Sequence, residues 1–325
     1  MRSAAVGVAV TLSHLDGISA PQQQNLLPLA RVADEAGAAQ IVLSEHVVLA
    51  KVISGHPGVR PGDPPSGSFF PSDEEYPDPL VALAAIAAVT TRARLSTNIL
   101  LAPLRPAVLL AKMVATLDVI SGGRLDLGVG SGWHREEFEA LDVPFRHLAE
   151  RTEDSIAACR VLWAGGPSSF KSSTVSFSDI YCSPTPVQSR IPVFFGGQPS
   201  EATAARVAKL GDGWSPIGGT TPAEVELGIG LIRRAADALG RNPEELKVRC
   251  SLPLRRRTEG RPQLADTLAE TRAFVDAGAD IVQLPPLRSF IDESSTDPIA
   301  AVKAVIAQAV EVVGNGGSAQ RITTF

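Results

Sequence analysis

Short segments of one recurring pattern limit the folds open to this chain more than any other feature. Glu35–Val42 reads EAGAAQIV, Lys209–Pro216 reads KLGDGWSP and Asp276–Gln283 reads DAGADIVQ. In each, a helix ends on a glycine and a buried strand begins one or two residues later. Glycine ends helices well because it enters the left-handed region without a side-chain clash. Ser121–Trp133, SGGRLDLGVGSGW, repeats the scheme and adds a working end. Gly122 and Gly123 stop a helix, residues 124–128 alternate as a short strand, and Gly128, Gly130 and Gly132 clear side chains from its end. Helix, tight turn, strand, repeated, is what a parallel sheet wound with helices requires.

Periodicity along the chain supports this. Strands are expected over 4–10, 40–43, 94–101, 124–128, 192–195, 213–215, 246–252 and 280–284. Helices are expected over 21–36, 79–90, 106–120, 135–141, 148–163, 200–210, 222–239, 263–277 and 298–313, the last capped by Asp297 with Pro298 at its first position. About eight such units, roughly 250 residues, make a (β/α)8 TIM barrel, which is the expected fold. One domain over 1–313 and a loose polar tail over 314–325 follow. Two irregular insertions, about 47–77 and 165–191, account for much of the excess length. A doubly wound open sheet is the main competitor. A dinucleotide fingerprint fits poorly: GVGSGW puts Trp133 where the third glycine belongs, and no strand ending in an acid follows.

The net charge of −5 is spread along the chain, so no nucleic-acid or membrane partner is expected. No apolar run approaches the roughly 18 residues of a membrane span. The start, MRSAAVGVAVTL, reads as a first strand rather than a secretory signal. Cys159, Cys182 and Cys250 lie far apart, as free thiols of a cytoplasmic protein would.

In a barrel the chemistry sits at the C-terminal strand ends. That rule selects residues 11–13, Glu45 with His46, Asn98 with Ile99, Gly130 to Trp133, Gly196 with Gly197, Ser215 with Pro216, Ser251 and Pro285. The five histidines form no HxH or HExxH pair, so metal catalysis is not expected. There is no GxSxG elbow, and no cysteine at a strand end beside a histidine. One histidine, one or two carboxylates, glycines and apolar surface suit a flat cofactor that carries its own reactivity. His46 is the candidate for proton transfer to a small-molecule substrate, unless Glu45 and His46 only pair at the rim. Gly196 and Gly197 offer a phosphate or ring-edge contact, or only a tight turn. Trp133 and Trp214 read more readily as packing residues than as ligand platforms.

Two blocks resemble a known family: YPDPLVALAAIAAVTTRARLSTNILLAPLRPAVLLAKMVATLDVISGGRLDLGVGSGWHREEFEALDVPF, Tyr76 to Phe145, and CSPTPVQSRIPVFFGGQPSEATAARVAKLGDGWSP, Cys182 to Pro216. With the SEH at 44–46 they resemble the bacterial luciferase-like oxidoreductases; the chain after Pro216 matches only in pattern. The resemblance implies a (β/α)8 barrel and a flavin-type cofactor, either FMN or the deazaflavin coenzyme F420. The chain looks most like the F420-dependent branch, whose acid–histidine pair falls on Glu45 and His46, the implied catalytic residues. Aspartate is commoner at the first place. The resemblance further implies a non-proline cis peptide at Asn98–Ile99, forming a bulge behind the ring. Ring and ribityl contacts would fall on Gly130, Gly132, Gly196 and Gly197, with Trp133 and Ser215 beside them and Arg288 for the phosphate tail. The implied reaction is hydride transfer to or from C5 of the deazaflavin, with His46 handling the accompanying proton. An FMN-dependent monooxygenase using supplied reduced flavin and O2, and a barrel that binds flavin without turnover, are the other readings. Members often form homodimers through helices on one side of the barrel.

Overall fold

The computed structural model describes residues 6–12, 22–51, 75–255, 262–292 and 295–314. Its strands close into a ring. β1 (Gly7–Thr11) pairs in parallel with β2 (Gln40–Leu43), and β2 with β3 (Arg94–Thr97). The ring continues through β5 (Leu125–Gly130), β8 (Val193–Gly197), β9 (Gly213–Pro216) and β10 (Lys247–Ser251) to β11 (Ile281–Gln283). β11 returns to β1, with Gly7 opposite Ile281, so the (β/α)8 barrel is closed with eight strands and the open sheet is ruled out. All four residues of β2 and all six of β5 are buried, as expected of strands enclosed between a packed interior and a layer of helices.

That layer comprises α1 (Gln22–Glu35), α2 (Pro79–Ala87), α3 (Ala107–Ile120), α4 (Arg135–Ala140), α5 (Leu148–Trp163), α6 (Glu201–Leu210), α7 (Pro222–Ala238), α8 (Leu264–Leu268), α9 (Thr271–Asp276) and α10 (Pro298–Gly314). Leu29, Ala30 and Ala33 form the buried stripe of α1. Asp78 caps α2 by accepting the amides of Leu80 and Val81. Gly37 and Gly278 end their helices in the left-handed region, at φ 89° and 106°. Gly211 does not: its φ is −87°, and a Cβ there would lie 3.0 Å from the Phe195 ring. Glycine is needed at 211 for close approach, not for handedness.

The structure departs from the sequence reading in several places. The strand expected over 94–101 breaks after Thr97 and resumes as β4 (Leu100–Leu101), which pairs with Val129 and Gly130. β5 runs two residues beyond the expected 128, so Gly128 and Gly130 lie inside the strand rather than past it. The helix expected over 263–277 is two short ones, α8 and α9, and their junction residues Ala269 and Glu270 keep right-handed backbone. The second insertion carries an antiparallel hairpin, β6 (Ser168–Lys171) and β7 (Ser176–Ile180), with the Phe170 and Phe177 rings 6.0 Å apart. Of the first insertion only 47–51 and 75–77 lie in the described residues, and the tail from 315 lies outside them. No helix among the described residues is long and apolar enough to cross a membrane.

A polar cross-brace fills the barrel interior beneath the strand ends. Arg249, 1% exposed, donates to Ser96 Oγ (2.7 Å), Gln40 Oε1 (3.2 Å) and the Thr97 carbonyl (3.0 Å). Gln40 in turn donates to Asp126 at 2.6 Å, and Arg94 grips the same carboxylate with two nitrogens. Burial pulls the Arg249 guanidinium down to about 10. Gly128 makes room for this arrangement, because a Cβ there would lie 2.0 Å from the Thr97 carbonyl oxygen. The inward-turned carbonyl of Thr97 fixes where β3 ends, and so where the next two residues begin.

Candidate active site

Those two residues, Asn98 and Ile99, are joined by a cis peptide and lie on a cavity of about 550 Å³ at the C-terminal ends of the strands. Asn98 is tethered on both sides of its amide. It accepts from Ser215 Oγ at 3.0 Å and donates to Gln283 Oε1 at 3.0 Å, while Gln283 donates to Thr11 at 2.9 Å. Side chains from four strand ends thus lock the cavity's floor. Ile99 projects between two glycines: a Cβ on Gly130 would lie 1.9 Å from its Cδ1, and one on Gly196 would lie 3.0 Å from its Cγ2. These glycines therefore seat Ile99 as well as line the cavity. Gly132 (φ 81°) leaves room for the Phe138 ring, and Gly197 packs against Thr203.

Glu45 and His46 both line the cavity but do not pair with each other. Successive residues of an extended segment point opposite ways. Glu45 accepts from the Leu101 amide at 2.6 Å and from Arg105 at 2.5 Å, and Arg105 also reaches Asp78 at 2.7 Å. Burial pushes the Glu45 carboxyl up, against the opposing pull of Arg105 and the Leu101 amide. His46 instead sets Nδ1 3.2 Å from Oε2 of Glu137, a fully buried residue of α4. The other oxygen of Glu137 accepts the Val47 amide at 2.7 Å. Three residues earlier, at the N-cap of α4, His134 Nε2 accepts the Ala50 amide at 3.1 Å. The start of the first insertion is thereby fastened to α4, and Tyr76 and Trp133 stand edge-on to the His46 ring at 4.9 and 5.8 Å.

Glu137, the buried partner of the cavity-lining His46, is the residue that sequence reasoning missed. The sequence over 135–141 reads as a short acidic helix; only burial separates Glu137, which faces inward with Phe138, from the neighbouring Glu136. Of the expected site, Glu45, His46, Asn98, Ile99, Gly130, Gly132, Trp133, Gly196, Gly197 and Ser215 all line the one cavity. Arg288, in the turn Leu287–Phe290 after β11, is not among its lining residues. The arginine that does line it is Arg206 of α6. Trp214 is buried, with its indole N–H on the Gly197 carbonyl at 3.0 Å, and serves as packing. Cys159 and Cys250 are buried, and burial pushes both thiols up, away from nucleophilic chemistry. A flat apolar floor on a fixed polar tether, one oriented imidazole and one guanidinium fit a planar cofactor with an anionic tail.

A family model described as luciferase-like monooxygenase matches residues 6–304. An uncharacterized protein of Mycobacterium tuberculosis is 32% identical over 199 residues, which are 61% of this chain and 68% of that protein. An FMNH2-dependent dimethylsulfone monooxygenase of Pseudomonas putida is 30% identical over 174 residues, 53% of this chain and 47% of that one. Among solved structures, an F420-dependent secondary alcohol dehydrogenase in complex with an F420–acetone adduct superposes with a TM-score of 0.71 at 16% identity. It covers 94% of this chain and 99% of that one, a likeness of fold.

Proposed function

The chain belongs to the luciferase-like monooxygenase family, and on that premise we propose that it is a coenzyme F420-dependent oxidoreductase acting on a small organic substrate. The observation that carries this reading is His46, held by the buried Glu137, on the wall of the cavity whose floor is Ile99. When bound, the deazaflavin supplies the C5 position that gives or receives a hydride. The chain's own residues do the rest. Ile99, locked in place through Asn98, Ser215 and Gln283, would support the ring from one side, and the main chain at Gly130 and Gly196 would border it. Donation from Nδ1–H of His46 to Glu137 fixes the imidazole tautomer, which makes Nε2 the atom that exchanges a proton with a substrate oxygen. A C–H hydride leaves toward the cofactor and the O–H proton leaves toward His46, or the reverse, so the transfer balances. Glu45, with both oxygens engaged by Leu101 and Arg105, positions the segment after the floor rather than touching substrate.

The second reading, an FMN-dependent monooxygenase, is favoured by the Pseudomonas putida relative. Oxygen separates the two. F420-linked turnover of an alcohol or ketone panel under strict anaerobiosis is the expected result. Turnover that requires reduced FMN and O2, with none linked to F420, overturns the proposal.

Glu137→Gln keeps the volume but removes the charge that orients His46. It is expected to lower kcat at least about tenfold while F420 affinity stays unchanged. Equal loss of binding and turnover would reduce Glu137 to a structural residue.

A further inference from the structure

The imidazole of His46 stands in an aromatic corner whose charges are already matched. Tyr76 lies edge-on to it at 4.9 Å and Trp133 at 5.8 Å, and all three line the cavity. Trp133 also packs against the ring of His134 at 5.3 Å, and His134 is itself buried and holds the Ala50 amide. Among the described residues only Glu45, His46 and Arg206 bring acidic or basic side chains to the cavity. Glu45 has one oxygen on the Leu101 amide and the other on Arg105, and Arg206 is ion-paired with Glu153 at 3.0 Å. Glu137 has one oxygen on the Val47 amide and the other beside His46 Nδ1. An anionic substrate group next to His46 would meet that buried carboxylate and no uncompensated cation. An ammonium would find both oxygens of each carboxylate taken. Burying either ion without a partner is costly, whereas an uncharged group enters at no such cost.

Resting on the F420 reading above, we propose that this corner seats the substrate, an uncharged alcohol or ketone carrying an aryl or alicyclic group, and that Trp133 selects for that group. Trp and Tyr offer large, rigid apolar faces, which reward a flat or cyclic partner over a short flexible one. With that group against Trp133 and Tyr76, the carbinol oxygen is left for Nε2 of His46. In oxidation the carbinol C–H pair leaves as hydride to the deazaflavin, the O–H proton goes to His46, and the C–O bond becomes C=O; reduction runs the reverse. The resemblance in sequence placed Trp133 beside the cofactor. Its contact with the His46 ring makes it a substrate-selecting residue instead.

The test uses probes that share a benzene ring and differ in charge at neutral pH: acetophenone, benzoate and benzylamine. Each is titrated calorimetrically into the wild type, Trp133→Ala and Trp133→Phe, with F420 saturating and with no cofactor. The wild type should bind acetophenone at least about tenfold more tightly than either charged probe. Trp133→Ala should lose about tenfold in acetophenone affinity, and Trp133→Phe, which keeps an aromatic face, should recover most of it. In F420-linked turnover, the wild type's preference in kcat/KM for 1-phenylethanol over 2-propanol should fall about tenfold in Trp133→Ala, mainly through KM. Benzoate or benzylamine binding as tightly as acetophenone overturns the substrate class. An equal fall for both alcohols reduces Trp133 to a structural residue and overturns its selective role, as does an unchanged preference. A wild type that favours acetophenone but does not bind F420 sinks the cofactor reading and leaves the corner standing. One that binds neither sinks both.

Discussion

His46→Ala is expected to lower kcat by about 100- to 10,000-fold while cofactor affinity stays within about twofold of wild type. The asymmetry follows from where the side chain sits. The cavity floor is built from Asn98, Ile99, Ser215 and Gln283, none of which contacts His46 in the hydrogen-bond network. The imidazole is tied instead to Glu137 on α4 and packed edge-on to Tyr76 and Trp133. On the proposed reading, removing it would delete the proton-exchanging group and leave the cavity floor intact. Turnover unchanged in His46→Ala takes the residue out of the mechanism. Cofactor binding lost in parallel makes it part of the seat rather than of the chemistry.

The largest stability effect is expected at Gly128. Its missing side chain is occupied by the Thr97 carbonyl, 2.0 Å from where a Cβ would stand, with an Arg249 nitrogen 3.1 Å away. Both neighbours are fixed: one is main chain of β3, the other the buried guanidinium that accounts for that carbonyl's hydrogen bond. Gly128→Ala therefore has nowhere to relax and is expected to cost about 3 kcal/mol, lowering Tm by about 6 °C or more. Gly130→Ala is the contrast. It meets the flexible end of Ile99, so the barrel should hold its Tm while the displaced Ile99 weakens cofactor binding. A Gly128→Ala protein as stable as wild type would contradict the cross-brace of Arg249, Thr97 and β5.

The barrel was legible because its signals are local. Gln40–Leu43 and Leu148–Trp163 have the boundaries their periodicity predicts, and Gly37 and Gly278 end helices in the conformation that favours glycine. What escaped depends on distant partners. Glu45 finds Arg105 and Leu101 far along the chain, and His46 finds Glu137, so adjacency in sequence suggested the wrong pair. The glycines at 130 and 196 signalled a close approach, but sequence could not say that Ile99 makes one. Arg206 lies inside a helix and Arg288 in a turn after a strand; only closure of the ring puts Arg206 in the cavity wall. The hairpin at 168–180 was half visible, because only Thr174 to Phe177 has strong β propensity.

The proposed activity requires this cavity to receive a deazaflavin. Titration of the purified protein with F420 and, separately, with FMN, followed by fluorescence quenching, tests that most directly. Saturable F420 binding much tighter than FMN binding is the expected result. Tight FMN binding with no affinity for F420 would contradict it.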